Sequence, residues 1–187
     1  MAKACKMYSN TFEKGDSMRK NLVLEGRNYS LKAYYASPSC FESVRWAALM
    51  TGLATDYVSM KEKIKLGGEF KEYLDKAIGM RPGEVSLLYM RGRYSYAIAN
   101  LSWLERKAAS ALFGAVPQAT IDDAIKDLLA PNAWIDNLLF LGKCYIAKKD
   151  EVNAVKYLKL ATNIKTEDDS DEESLREAYT LLEKYSK

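Results

Sequence analysis

The chain of 187 residues contains no histidine. Histidine is the commonest general acid or base in enzymes and the commonest protein ligand of zinc, so its absence argues against catalysis and against a zinc site. The three cysteines, Cys5, Cys40 and Cys144, are far apart and form no Cys-x-x-Cys pair. Their number and spacing predict reduced thiols packed among apolar neighbours rather than a disulfide framework or a metal centre.

The common motifs of enzyme and cofactor sites are missing as well. The sequence has no Gly-x-x-x-x-Gly-Lys-[Ser/Thr] loop to bind phosphates, no Gly-x-Ser-x-Gly nucleophile turn and no Gly-x-Gly-x-x-Gly fingerprint. The basic and aromatic stretch "RGRYS" at 91–95 falls within a predicted helix, whereas RNA-binding loops of that composition need a sheet platform. We therefore predict a protein that is not an enzyme, with no cofactor, no metal and no nucleic-acid partner.

Long apolar runs are also absent. The uncharged run at 108–121 contains Gly114 and Pro117 and is shorter than the roughly 20 apolar residues that a spanning helix needs. The first residues, "MAKACKMYSN", lack the apolar core of a secretory signal. We expect the chain as given to be soluble and cytoplasmic, without a transmembrane segment, and a membrane anchor on a longer natural protein stays compatible with this expectation.

The charges are segregated along the sequence, although the formal net charge is only +3. Residues 142–165 contain six lysines against two acids, and residues 166–187 contain eight acids against three bases. This distribution predicts a positively charged surface and an acidic C-terminal end. A positive surface favours an acidic partner, although charge runs are also typical of ordinary solvated faces.

The clearest pattern lies at 138–165, "LLFLGKCYIAKKDEVNAVKYLKLATNIK". Apolar and small residues follow one side of a predicted helix up to Tyr145, "KKDE" predicts a turn, and Ala154, Leu158 and Ala161 follow one side of a second helix. The small residue Gly142 lets the two helices approach closely. The order large-Leu-Gly-Tyr, then small-large-small, is typical of a tetratricopeptide helix pair.

Looser copies of this pattern precede it and a polar amphipathic helix follows it. In the second copy, Trp46 opens the first helix and Leu74 and Ala77 close the second, and the long segment between them predicts that one or both helices are extended. In the first copy, only the first dozen residues are left for the first helix, so we expect the chain to begin inside a repeat, as a fragment or an uncapped array. The predicted segments are repeats over 1–38, 39–82, 83–131 and 132–166, and a capping helix over 171–187.

The third copy contains an insertion at 103–120. We predict that its first helix continues to about Leu112, that a Gly/Pro turn follows, and that the second helix starts at Thr120. We expect Trp103, Leu104, Leu112 and Phe113 to pack against the rest of the domain, because so much apolar surface would not stay exposed. After Leu128 the sequence "APNAW" ends the pattern early, so either this helix is short or residues are missing near 129–133.

These patterns predict a single all-α domain over 1–187, built from antiparallel helix pairs stacked as a tetratricopeptide-like right-handed superhelix. In such a superhelix, positions just after the packing stripe of each first helix face the concave groove. Arg93 and Lys143 would together bind a carboxylate or a phosphate there, or would be two ordinary solvated cations. The predicted groove residues are Tyr89, Arg93, Tyr96, Leu139, Lys143 and Ile146.

Four short motifs are more specific than the repeat pattern: Trp-x-x-Arg at 103–106, Leu-Phe-Gly at 112–114, Pro-x-x-Thr at 117–120 and Leu-Leu-x-Leu-Gly-Lys at 138–143. With these motifs, the chain from about Tyr29 to its C-terminus resembles the regulator of microtubule dynamics proteins. The resemblance implies a non-enzymatic protein of the cytoplasm, spindle and spindle poles that associates with microtubules and influences chromosome segregation. In some relatives it also implies N-terminal membrane anchors and a helical domain that handles phospholipid at contacts between endoplasmic reticulum and mitochondria.

Three partners are therefore compatible with the sequence. A superhelix lined by Leu139, Ile146, Tyr89 and Tyr96 would hold the acyl chain of a phospholipid, with Arg93 and Lys143 near the headgroup. A groove of this kind would also bind a peptide of another spindle protein. The acidic C-terminal tails of tubulin would instead be attracted by exposed basic residues. The lysines predicted to face tubulin are Lys61, Lys63, Lys65, Lys148, Lys149, Lys156 and Lys159.

Overall fold

The computed structural model describes residues 1–114, 116–130, 134–166 and 169–186. In these residues it contains ten α-helices, one 3-10 turn at Thr55–Tyr57 and no strand, which confirms the all-α fold. The helices pack in pairs, while the superhelix and the repeat boundaries stay predictions. The helices are α1 Ala2–Ser9, α2 Ser17–Ala36, α3 Phe41–Ala54, α4 Met60–Met80, α5 Val85–Ala99, α6 Trp103–Phe113, α7 Ile121–Leu129, α8 Ile135–Ala147, α9 Glu151–Thr162 and α10 Asp169–Tyr185.

The chain divides into two compact units. The N-terminal unit comprises Met1–Leu87 and Leu101–Val116. The C-terminal unit comprises Leu88–Asn100 and Pro117–Lys187, and therefore contains most of α5.

In the N-terminal unit, α1 packs on α2, α2 on α3, α3 on α4, and α6 on α4. The core includes Val23, Met50 and Leu66, with Leu74 and Ala77 of α4 fully buried. The 21 residues of α4 confirm that the second copy contains an extended helix, which is its second one, and α1 lies within the first dozen residues as expected. The tight α2–α3 packing depends on Gly26, where a β-carbon would lie 2.6 Å from the Met50 methyl carbon.

In the C-terminal unit, α8 packs on α7, α9 and α10, and α9 also packs on α10. Ala154, Leu158 and Ala161 of α9 are fully buried, as the small-large-small pattern predicts. Gly142 meets Leu158 so closely that a β-carbon would lie 2.8 Å from the leucine Cγ. The same arrangement recurs between α5 and α7, where a β-carbon at Gly92 would lie 2.7 Å from Leu128 Cγ.

The insertion differs from its prediction at its first half. The first helix of the third copy ends at Ala99 and does not continue to Leu112, because Asn100 folds its side-chain amide back onto the Tyr96 carbonyl oxygen. Ser102 then starts a separate helix, α6, with a capping box in which Glu105 accepts from the Ser102 N–H. The predicted second-helix start is confirmed, since Thr120 caps α7 in the same way through Asp123.

The expectation that the apolar residues of α6 are packed away is wrong. Trp103 is 73% exposed, Leu104 54% and Leu112 46%, whereas Ala109 is buried. A helix of 11 residues turns only one narrow side to its neighbour, so the others stay in solvent. The side chain of Phe113 lies outside the described residues. Residues 131–133, which belong to the stretch 129–133 where residues were expected to be missing, also lie outside them. Helix α7 ends at Leu129.

The cysteine prediction is confirmed for two thiols and wrong for the third. Cys5 and Cys144 are buried, but Cys40 is exposed because it precedes α3 at the N-cap position, outside the helix packing. Burial raises the pKa of Cys5, and it raises the pKa of Cys144 to about 12.

Candidate interaction surfaces

Four of the six predicted groove residues lie around one aromatic ring, Phe140 of α8. The Arg93 guanidinium carbon is 4.5 Å from the centre of this ring, and Lys143 Nζ is 4.7 Å from it. Tyr96 meets the ring edge-on, with 5.7 Å between ring centres. We call Tyr89, Arg93, Tyr96, Phe140 and Lys143 the Phe140 cluster. It brings two cations to one ring, as the sequence predicts for neighbouring first helices, although Phe140 itself was not predicted.

A polar network fixes one side of the Phe140 cluster. The Tyr89 hydroxyl donates to Asp136 Oδ2 at 2.7 Å, and Arg93 Nη1 donates to the Tyr89 oxygen at 3.2 Å. Ser174 of α10 donates to the other Asp136 oxygen. Burial and the Asp136 carboxylate raise the pKa of Tyr89, so the phenol stays a hydrogen-bond donor. The network therefore joins α5, α8 and α10 and holds Arg93 in place.

The second cation of the cluster already has a carboxylate partner. Lys143 Nζ lies 2.6 Å from Glu177 Oε1 of α10. Any acidic ligand of this site would compete with Glu177, whose side chain is 48% exposed. The cluster is thus suited to exchange one carboxylate for another.

The two apolar groove residues pack in or against the core of the C-terminal unit. Leu139 is only 1% exposed and belongs to the core of the C-terminal unit. Ile146 packs against the same core. Leu139 therefore contributes to core packing and not to the wall of an acyl-chain channel, whereas Ile146 is partly buried.

Arg91 has a structural partner that sequence reasoning missed. Its guanidinium donates two hydrogen bonds, each 2.7 Å long, to the two carboxylate oxygens of Asp127 in α7. The Asp127 side chain is 9% exposed. The signal was present, because Arg91 stands where the repeat pattern expects leucine, and a cation in a packing stripe needs an acid on the opposite helix.

The α4 lysines, Lys61, Lys63 and Lys65, are exposed but lie among acids. Lys63 Nζ is 4.0 Å from Glu105 Oε1 of α6. Lys65 Nζ lies 3.9 Å from Glu69 and 4.0 Å from Glu62. Carboxylates on the same helix and on its neighbour therefore balance two of the three positive charges.

The other predicted tubulin-facing residues, Lys148, Lys149, Lys156 and Lys159, lie in the α8–α9 turn and on α9, and we call them the α9 lysines. Lys148 pairs with Asp122, and this hydrogen bond raises the pKa of Lys148. Lys149, Lys156 and Lys159 are exposed and make no ion pair with the described residues. This surface is therefore more strongly positive than that of the α4 lysines.

Neither a membrane-spanning helix nor a metal site is found in the described part of the chain. None of its helices combines the length and apolar character needed to cross a bilayer. No group of three or more His, Cys, Asp or Glu side chains in the same residues is arranged to hold a metal ion.

Comparison with known proteins gives one consistent family. The model of the family "Regulator of microtubule dynamics protein 1-3" matches residues 1–186. Regulator of microtubule dynamics protein 1 of Caenorhabditis elegans is 46% identical over 188 residues, covering 98% of this chain and 82% of the relative. Regulator of microtubule dynamics protein 2 is 33% identical in Macaca fascicularis and 32% in Homo sapiens, over 94% of this chain but 43% of each relative. The chain belongs to the regulator of microtubule dynamics family.

Proposed function

We propose that this chain is a non-enzymatic, cytoplasmic protein that binds microtubules and regulates their dynamics on the spindle during chromosome segregation. The names of the family and of its members support the regulatory role. The observation that carries the binding proposal is that four of the seven lysines predicted to face tubulin are exposed and make no ion pair with a described residue: Lys61, Lys149, Lys156 and Lys159. The C-terminal tails of tubulin are acidic, so these lysines supply the complementary charge.

Co-sedimentation with taxol-stabilised microtubules at graded salt tests this proposal. Attraction between exposed charges is screened over about 8 Å at physiological ionic strength, so the pelleted fraction should fall steeply as salt rises. Reversing the charge of Lys61, Lys149, Lys156 and Lys159 together should abolish pelleting while the helical circular dichroism is unchanged.

The matched control reverses four exposed lysines of the N-terminal helices and their connection, Lys3, Lys14, Lys20 and Lys32. It changes the net charge equally and should retain most of the pelleting. Absence of pelleting at low salt would refute the proposal, and an equal loss in the control would show that net charge rather than a surface drives binding.

The Phe140 cluster supports a second binding role in the same protein. Its two cations on one ring, one of them already holding Glu177, are suited to the carboxylate of a spindle-protein segment or to the headgroup of a phospholipid. Native mass spectrometry of the purified protein separates these two ligands. A retained mass that is extracted into organic solvent identifies lipid, and protein that carries none leaves the peptide role.

A further inference from the structure

The outward side of α9 carries a mixed basic and apolar ridge. Val152 is 82% exposed and Leu160 44%, and Lys156 and Lys159 between them are exposed as well. The spacing of these four residues places them on one side of the helix, opposite the fully buried Ala154, Leu158 and Ala161. We call Val152, Lys156, Lys159, Leu160 and the preceding Lys149 the α9 ridge.

Lys149 occupies a backbone position that normally belongs to glycine. Its φ is 61°, and it is the one non-glycine residue with positive φ among those described. Its N–H donates to the Ile146 carbonyl and the Asp150 N–H donates to the Tyr145 carbonyl, which is the Schellman arrangement at the end of α8. A lysine here destabilises the turn relative to glycine. A strained residue at an exposed corner points to a use for its side chain.

The charge of the ridge is not balanced within the described part of the chain. No carboxylate there pairs with Lys149, Lys156 or Lys159, and the sole acid of α9, Glu151, lies outside the stripe. The α4 lysines differ, because Glu62, Glu69 and Glu105 pair with Lys63 and Lys65. The ridge therefore attracts an anionic partner more strongly than the α4 lysines do.

The residue types of the ridge select among anionic partners. A bilayer surface is met by a continuous apolar face with Trp, Phe or several Leu, whereas Val152 and Leu160 are separated by two turns of lysine. Nucleic-acid surfaces favour Arg forks and exposed aromatic rings, and the ridge has neither. Flexible lysines suit the dispersed carboxylates of a peptide, and the two aliphatic side chains suit its apolar residues.

We propose that the α9 ridge is a docking surface for an acidic, unstructured peptide segment, anchored at the turn by Lys149. The proposal rests on the proposed function in one respect: the C-terminal tails of tubulin are segments of this kind. Lys149, Lys156 and Lys159 hold the carboxylates, while Val152 and Leu160 contribute a part of the affinity that salt does not screen.

Fluorescence anisotropy with a labelled synthetic glutamate-rich peptide containing one leucine tests the surface on the full chain. The Lys156→Glu/Lys159→Glu variant should weaken binding about tenfold or more, because two exposed ion pairs are lost and the reversed charges repel the peptide. The matched Lys20→Glu/Lys32→Glu variant, at two exposed lysines of α2, should change it less than about twofold. Val152→Ser/Leu160→Ser should weaken binding without changing its salt dependence.

Lys149→Gly provides the sharpest result. It should raise the melting temperature, because glycine relieves the left-handed strain, and at the same time lower the affinity for the peptide by several-fold. Loss of affinity through unfolding would lower both quantities, so the opposite signs identify a binding role.

The outcomes separate this inference from the proposed function. Peptide binding that depends on the ridge, without microtubule pelleting, supports the docking surface and refutes the microtubule role. Pelleting that the ridge variants leave unchanged refutes the surface and leaves the microtubule role standing. Equal sensitivity of the α2 and α9 variants also refutes it, as does ridge-dependent binding to phosphatidylserine vesicles that the peptide fails to displace.

Discussion

Three glycines are the residues on which the closest helix packing depends. Gly26, Gly92 and Gly142 each lie in a helix, where glycine is less favourable than alanine by roughly 1 kcal/mol. At each position a β-carbon would come within 3.0 Å of a side chain on another helix. Close approach of whole helices therefore outweighs the local preference for alanine, because the approach buries large side chains such as Leu158 and Met50.

Gly142→Ala should destabilise the fold by about 1–3 kcal/mol, since the new methyl group would lie 2.8 Å from Leu158 Cγ in a packed core. Gly67→Ala in α4 is the matched control, because no atom lies within 4 Å of the added carbon. That variant should instead stabilise by about 0.5–1 kcal/mol, as expected for a helix interior. Urea unfolding of both variants measures the difference, and a shift of the same sign in both would contradict the packing argument.

At the scale of the element, the helices are defined at their starts by side-chain caps. Ser102 with Glu105 and Thr120 with Asp123 form complete capping boxes, and Asp150 caps α9 through the Asn153 N–H. The hydrogen bonds lower the pKa of Glu105, Asp123 and Asp150, because each carboxylate accepts from groups that favour its charged form. The connection from α5 to α7 thus depends on two short polar signals rather than on apolar contacts.

Ser102→Ala and Thr120→Ala should each destabilise by about 0.5–2 kcal/mol, because each leaves a helix N-terminus without its side-chain acceptor. Ser110→Ala, an exposed serine within α6, is the control and should change stability by less than about 0.5 kcal/mol. The measurement is the free energy of unfolding in urea at neutral pH. A loss in Ser110→Ala as large as in Ser102→Ala would show that α6 depends on its sequence in general rather than on its cap.

The sequence was informative about an element wherever one strong periodic signal decided its structure. The α8–α9 pair, the start of α7 at Thr120 and the all-α fold were all predictable, because small and apolar residues recur there at helical spacing. The end of the helix before Asn100 was not predicted. Ser102 and Glu105 have the spacing of a capping box, but the apolar pattern continues to Leu112 and was given more weight. Exposure of Trp103 was missed because apolar residues are not excluded from surfaces.

The sequence predicted the two cations of the Phe140 cluster but not the residues that contact them. Periodicity brought Arg93 and Lys143 together, but Phe140 and Glu177, which hold them, come from packing geometry that spacing alone does not give. Charge counts likewise found both groups of lysines. Only three-dimensional distances show that acids balance the α4 lysines and leave the α9 ridge positive.

At the scale of the whole molecule, the absence of histidine should give stability a flat dependence on pH from about 5 to about 8, where few other side chains titrate. As pH falls, the unfolded chain binds protons at a higher pH than the folded chain, because folding lowers the pKa values of the capping carboxylates. Their contribution is complete above their unfolded pKa of about 4 and is lost as pH falls through the folded values.

As pH rises, the unfolded chain loses thiol protons at a lower pH than the folded chain, because folding raises the pKa values of Cys5 and Cys144. Stability should therefore fall as pH rises above the unfolded thiol pKa of about 8.5.

The Cys144→Ala variant tests whether Cys144 causes the decline in unfolding free energy at alkaline pH. Between about pH 9 and pH 10 the unfolded thiol is ionised while the folded one, with its pKa of about 12, is not. Removing it should make the decline in unfolding free energy shallower by up to about 1.4 kcal/mol per pH unit, whatever the variant costs at neutral pH. Urea unfolding at four or more pH values measures this slope, and Cys40→Ala, at an exposed thiol, should leave it unchanged. An identical slope in wild type and Cys144→Ala would mean that Cys144 does not cause the decline, which would then begin with Cys5 or with the tyrosines, whose unfolded pKa is about 10.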